Sequence, residues 1–231
     1  MAQITERNIS ILKIIVEEFL QTGEVLGSKA LLKKYDMGVS SATIRNDMAV
    51  LEKLDLVFQP YNSAGRLPTA KGLRAFVNYF MQISPDYLLA SKNIGVGENI
   101  KKLEDFIFDV VFNLANSTKE ITFLAVPEDG ILKYSGLASF LENNHKALGN
   151  SIFNIIKMLE NKDNFIKFIS SLDLNREVNV FIGEENIIAY LKDYTIIIRP
   201  LIIDGKKAYI GIIGALKMNY SFNISAIKGI I

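Results

Sequence analysis

Apolar residues return at spacings of three and four from the start of the chain. Ile9, Leu12, Ile15, Val16, Phe19 and Leu20 predict one amphipathic helix over 5–21, broken by Thr22 and Gly23. Ser28 is a cap candidate for a short second helix over 29–34, with Leu31 and Leu32 apolar. Asp36, Met37 and Gly38 make a turn. A third helix follows, with Ser40 and Ser41 at its start and Ile44, Met48 and Leu51 as the inward stripe. The run LDLVFQ over 54–59 is rich in β-formers and predicts a short strand that Pro60 stops. Turn-prone residues fill 62–65, so a tight excursion is expected there. Pro68 and Thr69 open another helix carrying Leu73, Phe76, Val77 and Phe80, with Thr69 as its cap. Helix, helix, tight turn, helix, strand, excursion and packing helix together predict a winged helix-turn-helix.

After Phe80 the pattern loosens. Ser84, Pro85 and the stretch 91–97 read as a linker. Helical spacing returns over 100–115, where Leu103, Phe106, Ile107, Val110, Val111 and Leu114 share a broad face opposite Glu104, Asp105 and Asp109. That face serves either packing within its own domain or dimerisation. ITFLAV over 121–126 predicts a strand ended by Pro127, and 137–171 reads as mainly helical. VNVFI over 178–182 predicts a strand, and 184–191 a helix. TIIIRPLII over 195–203 predicts a buried strand in which Pro200 marks an edge or a bulge. Asp204-Gly205 is a hairpin signal, 208–215 the returning strand, and 221–231 a closing helix. The whole is an α+β chain.

The third helix carries candidate chemistry on its outer face. Thr43, Arg45 and Asn46 lie off the inward stripe in the first turns, just after Ser41. In a helix-turn-helix those positions meet base edges in the major groove. Arg pairs with guanine and Asn with adenine, each through two hydrogen bonds. Arg66, at the end of the excursion, is placed to meet phosphate or a minor groove. Ser28 and Lys29 can touch phosphate at the start of the second helix. The candidate DNA-binding residues are therefore Ser28, Lys29, Ser40, Ser41, Thr43, Arg45, Asn46 and Arg66. Ser40, Ser41 and Thr69 also have a plainer reading as caps.

Charge alone would not point to DNA. The net charge is +1; residues 1–80 hold 10 Lys/Arg against 8 Asp/Glu, and the rest 16 against 17. Such a balance suits a few placed cations rather than a general polyanion binder. A hydrophobic content of 49% argues against disorder. The absence of cysteine excludes disulfides and thiolate metal sites. The starting residues MAQITERN lack an apolar secretory core, and charge or glycine interrupts the long apolar runs. A cytoplasmic protein without a membrane segment is expected.

No catalytic set emerges. His145 is the single histidine and sits in the polar segment ENNHK. Gly211 and Gly214 do not form the phosphate loop GxxxxGK[ST], and close strand packing explains them. Glu184, Glu185 and Asn186 could mark an anion or metal cluster, but acidic residues at a helix start explain the glutamates. No enzyme, cofactor or metal is expected.

Three segments carry a family resemblance: Gly27-Ser28-Lys29, the run VSSATIRNDM over 39–48, and SAGR over 63–66 with Pro68-Thr69. They resemble the N-terminal domain of HrcA, the heat-inducible transcription repressors of bacteria. Ile182-Gly183-Glu184-Glu185-Asn186, Gly211, Ile213-Gly214, Met218 and Tyr220 resemble that family's C-terminal region. The resemblance implies a winged helix at 1–82, a linker at 83–98, and a GAF-like dimerisation domain at 99–231, an antiparallel sheet with flanking helices. It also implies a homodimer on double-stranded DNA, at the CIRCE inverted repeat before chaperone operons, with the chaperonin GroEL modulating activity. One departure stands out: between Val126 and Ile131 the chain lacks the family's further sheet elements and inserted dimerising segment. The competing reading is a ligand-sensing winged-helix regulator of metabolic genes, which requires a pocket with convergent polar groups.

Overall fold

A computed structural model describes residues 4–83, 100–144, 151–188 and 191–230. The expected linker from 84 onward and His145 lie outside the described residues. The chain divides into two compact units, Met1–Asp86 and Tyr87–Ile231.

In the first unit, α1 (Glu6–Thr22) starts where expected. The Thr5 hydroxyl accepts from the Asn8 amide, and the Asn8 side chain accepts from the Thr5 amide in return. Ile11, Ile15 and Val16 are fully buried. The short α2 (Ser28–Lys34) is preceded by Gly27 as its cap residue, so Ser28 is the first helical residue and not the cap. Gly38, in the left-handed region, and the Asp36 carboxylate, which accepts from the Gly38 amide at 3.1 Å, turn the chain into α3 (Ser41–Lys53). Ser40 caps α3 by accepting from the Thr43 amide at 3.2 Å. Ile44, Met48 and Leu51 point inward as the spacing requires, at 0–3% exposure.

The strand expected over 54–59 is shorter. Its first residues end α3 instead: the Leu56 amide donates to Leu51 O and the Asp55 amide to Glu52 O, with Asp55 left-handed at φ 60°. This is a Schellman closure, sealed by the buried pair Leu51 and Leu56. Only β1 (Val57–Phe58) remains extended, antiparallel to β2 (Leu67–Pro68). Leu26 joins the ladder through both of its backbone bonds with Arg66. The Thr69 hydroxyl accepts from the Gly72 amide at 3.0 Å and starts α4 (Ala70–Ile83), whose Leu73 and Val77 are buried.

The second unit is α+β. It opens with α5 (Ile100–Thr118). Five antiparallel strands follow: β3 (Ile121–Val126), β4 (Ile131–Ser135), β5 (Asn179–Ile182), β6 (Tyr194–Ile203) and β7 (Lys206–Ala215). Their order in the sheet is β4-β3-β7-β6-β5. Alternation along each strand divides the sheet between two helical layers. Ile121, Phe123, Ile196, Ile198 and Ile213 join a core with α6 (Leu137–Asn144), α7 (Ser151–Glu160) and α8 (Lys162–Ser170). On the opposite face Thr122 donates to Val111 O of α5. There too the Thr195 hydroxyl bonds that of Tyr220 on α9 (Tyr220–Lys228), and Arg199 donates to the carbonyls of Ile227, Lys228 and Ile230.

The remaining expectations are refined. β3 and β4 join directly through a 3-10 turn, Pro127–Asp129, as a short hairpin between Val126 and Ile131. Pro200 lies in an inner strand, yet β5 pairs only with 195–198 of β6; beyond that, β6 has β7 alone as its neighbour. Pro200 thus needs no ladder partner for its missing N–H. Asp204 and Gly205 both take positive φ, as a type I′ hairpin turn requires. Over 184–188, described residues of the helix expected at 184–191, no α-helix forms. A 3-10 turn, Gly183–Glu185, is followed by Asn186, whose buried amide donates to the carbonyls of Gly183, Leu191 and Tyr194. Three bonds from one side chain hold a loop where a helix would have sent that amide outward. Gly211 is a packing position: a Cβ there would sit 2.2 Å from the Phe123 ring.

Candidate nucleic-acid interface

The site is built on α3. Its inward stripe fixes its rotation, and one buried carboxylate fixes it further. Asp47 accepts from Arg7 Nε at 2.6 Å and from the Asn8 side-chain amide at 3.0 Å, tying α3 to the start of α1. With Ile44, Asp47, Met48 and Leu51 inward, Arg45 and Asn46 are exposed on the outer face. Thr43 and Ser41 are half-buried in the first turn, and the hydroxyls of Ser40 and Thr43 lie 3.0 Å apart.

Beside α3, the start of α2 and the loop between β1 and β2 enclose a cleft of about 630 Å³. Ser28, Lys29, Arg45, Gln59, Ser63 and Arg66 are among the residues that line it. Four of the eight candidates therefore meet at one cleft: Ser28, Lys29, Arg45 and Arg66. The other four, Ser40, Ser41, Thr43 and Asn46, belong to the cap and first turns of α3 outside that lining. Lys29 is exposed and Ser28 half-buried.

Arg66 differs from the free cation that its place in the sequence suggests. Its side chain is 13% exposed and pairs with Glu52 of α3 at 2.8 Å. A second terminal nitrogen reaches Ala64 O at 3.5 Å, where the Gln59 side chain also donates at 3.0 Å. Gly65 lies against Leu26 so closely that a Cβ would fall 2.3 Å from the Leu26 carbonyl carbon. The loop's outermost residues, Tyr61, Asn62 and Ser63, are exposed and uncharged.

Residue patterns do not single out Asp47, Glu52 or Gln59. A signal for Asp47 exists, because a carboxylate three residues after Ile44 falls on the apolar stripe and needs a buried partner. Glu52 and Gln59 carry no such signal, since their partners depend on how the loop folds back. Among the described residues no group of three His, Cys, Asp or Glu side chains could hold a metal. No helix there is long and apolar enough to cross a membrane.

A helix with outward Arg and Asn beside a cation-lined cleft is an arrangement of DNA-reading proteins. A heat-inducible transcription repressor HrcA from Clostridioides difficile is 34% identical over 149 residues, 62% of this chain and 43% of that protein. Its namesake from Thermomicrobium roseum is 51% identical over 82 residues, 36% of this chain and 24% of that protein. The matches thus span less than half the length of these relatives. A crystal structure described only as a hypothetical protein shares the fold, with a TM-score of 0.79 at 18% identity over 98% of this chain and 96% of that one. Residues 73–224 match the HrcA protein C terminal domain. The chain belongs to the HrcA family.

Proposed function

We propose that this chain is a sequence-specific, DNA-binding transcriptional repressor of heat-shock genes. In this reading the first unit is a winged helix-turn-helix: α2 and α3 are the helix-turn-helix, and the β1–β2 loop is the wing. The second unit is a GAF-like dimerisation domain. Arg45 and Asn46 read base edges. Ser41 and Thr43 meet bases or nearby phosphate, Ser28 and Lys29 meet phosphate, and Ser40 sets the start of the helix. The observation that carries the reading is the outward pair Arg45 and Asn46 on a helix whose rotation is fixed by Ile44, Met48, Leu51 and Asp47. The repressor names of the relatives support it.

A homodimer follows from the physics of readout. One such unit spans too few base pairs for useful specificity, and two related by a two-fold axis read an inverted repeat. CIRCE is the proposed repeat and GroEL the proposed modulator, both drawn from the family resemblance. The ligand-sensing alternative finds less support. Between the sheet and α6–α8 lie the fully buried apolar rings of Phe123, Phe140, Phe165 and Tyr194, with Phe123 and Phe165 edge to face at 4.9 Å, rather than convergent polar groups.

The test is Arg45→Ala. Arg45 is exposed, so the variant folds, and its preference for a CIRCE duplex over a scrambled duplex should vanish while weak binding to both persists. Unchanged discrimination would remove Arg45 from the reading face.

A further inference from the structure

We infer that Arg66 is a positioning residue: its guanidinium latches the β1–β2 loop to the recognition helix through Glu52, and the loop meets DNA with its neutral tip. The inference rests on the DNA-binding reading above and gives a different role to the one cation in that loop.

Four observations converge on the latch. The Arg66 side chain is largely buried, and its Nη2 donates to the Glu52 carboxylate at 2.8 Å, a charge-assisted bond between loop and helix. The backbone of the same residue makes both ladder bonds with Leu26, at 3.0 and 3.1 Å. The close approach of Gly65 to Leu26 holds the adjoining residue to the same spot. Within the loop, Gln59 donates to Ala64 O and the Ala64 amide to Tyr61 O, so the turn is closed internally as well. The foot of the loop is thereby tied to α3 through Glu52 and to Leu26, and the turn above it is closed on itself.

The charge consequence is specific. Between β1 and β2, residues 59–66, Arg66 is the one charged side chain, and Glu52 neutralises it. The exposed tip offers an aromatic ring and phenol from Tyr61, which is 66% exposed, an amide from Asn62 and a hydroxyl from Ser63. These suit hydrogen bonds to phosphate or sugar and packing on the backbone, none of which displaces a counterion by charge. Each phosphate neutralised by a cation adds roughly 0.9 to the slope of log affinity against log salt. A latched Arg66 adds nothing to it.

Glu52 supplies the decisive contrast. A carboxylate beside a DNA surface ordinarily opposes binding, so removing it should tighten the complex. If it anchors the latch, removing it should loosen the complex. Fluorescence anisotropy on a labelled CIRCE duplex, across a salt series and well below each variant's melting temperature, compares wild type, Arg66→Gln, Glu52→Gln and the double variant. Glu52 is substantially exposed, so its variant tests the latch even if Arg66→Gln folds poorly. The expected result is a similar several-fold loss of affinity in both single variants, no further loss in the double variant, and an unchanged salt slope in all. A slope reduced by about one unit in Arg66→Gln, with Glu52→Gln neutral or tighter, would make Arg66 a phosphate contact and overturn the latch. Wild-type affinity in both single variants would overturn it as well. Wild-type protein that binds no duplex at all would instead refute the DNA-binding reading, and the latch with it.

Discussion

Two buried carboxyl groups, Asp47 and Glu120, play opposite parts in this chain. Asp47 shows how one buried carboxylate acts at a distance, because it sets the rotation that presents Arg45 and Asn46. Glu120 is the opposite case. Its carboxyl is buried at the start of β3, one oxygen has no hydrogen-bond partner, and burial pushes its pKa up to about 8. The folded state therefore favours the neutral acid. Its contribution is present in full below the ordinary carboxylate range and is lost as pH rises toward and through about 8, because the unfolded chain releases the proton earlier. Glu120→Gln mimics the neutral form. Its melting temperature should match wild type below about pH 4.5, exceed it increasingly up to about pH 8, and hold a constant lead above that, because the two states differ in protonation over that interval. Parallel melting curves across that range would show that Glu120 is ionised and solvated in the fold.

Elements were legible in the sequence wherever a periodic apolar face coincided with a local cap. α1 with Thr5, α3 with Ser40 and the Asp204-Gly205 hairpin all arise from neighbouring residues, so their signals survive in a linear reading. The misreadings occur where a distant partner or a competing local bond decides. Residues 54–56 have strand composition but are taken by the Schellman closure of α3. Residues 184–188 have helical composition but form a 3-10 turn and bends beside Asn186, whose amide donates to Gly183, Leu191 and Tyr194. For Arg66 the sequence suggests a phosphate or minor-groove contact and gives no sign of its bond to Glu52, which lies fourteen residues earlier. The candidate site follows the same rule: the outer face of α3 with Arg45 and Asn46 is visible from its own periodicity, whereas the loop's attachment is not. Asp47→Ala tests the element-scale claim that α1 orients α3. It leaves the buried Asn8 amide without its acceptor, so the melting temperature should fall by several degrees and operator affinity with it. Asp47→Asn, which keeps one acceptor for Asn8, should recover part of both. Undiminished stability and affinity in Asp47→Ala would mean that the apolar stripe alone fixes the helix.

At the scale of the whole molecule there are two compact units: the first carries the proposed reading face, and the second the five-stranded sheet, within the 73–224 match to the HrcA protein C terminal domain. In the second unit a short 3-10 turn, Pro127–Asp129, joins β3 directly to β4 at the edge of the sheet. The central claim is that α3 reads an inverted repeat as part of a two-fold assembly. The most direct measurement is a gel-shift titration at fixed salt on three duplexes: the intact CIRCE repeat, the repeat with one half scrambled, and a fully scrambled control, each with and without added chaperonin. The account predicts preferential binding to the intact repeat at two chains per duplex, collapse toward control affinity when one half is lost, and tighter binding when chaperonin is present. Equal binding of folded protein to all three duplexes in every lane would contradict it.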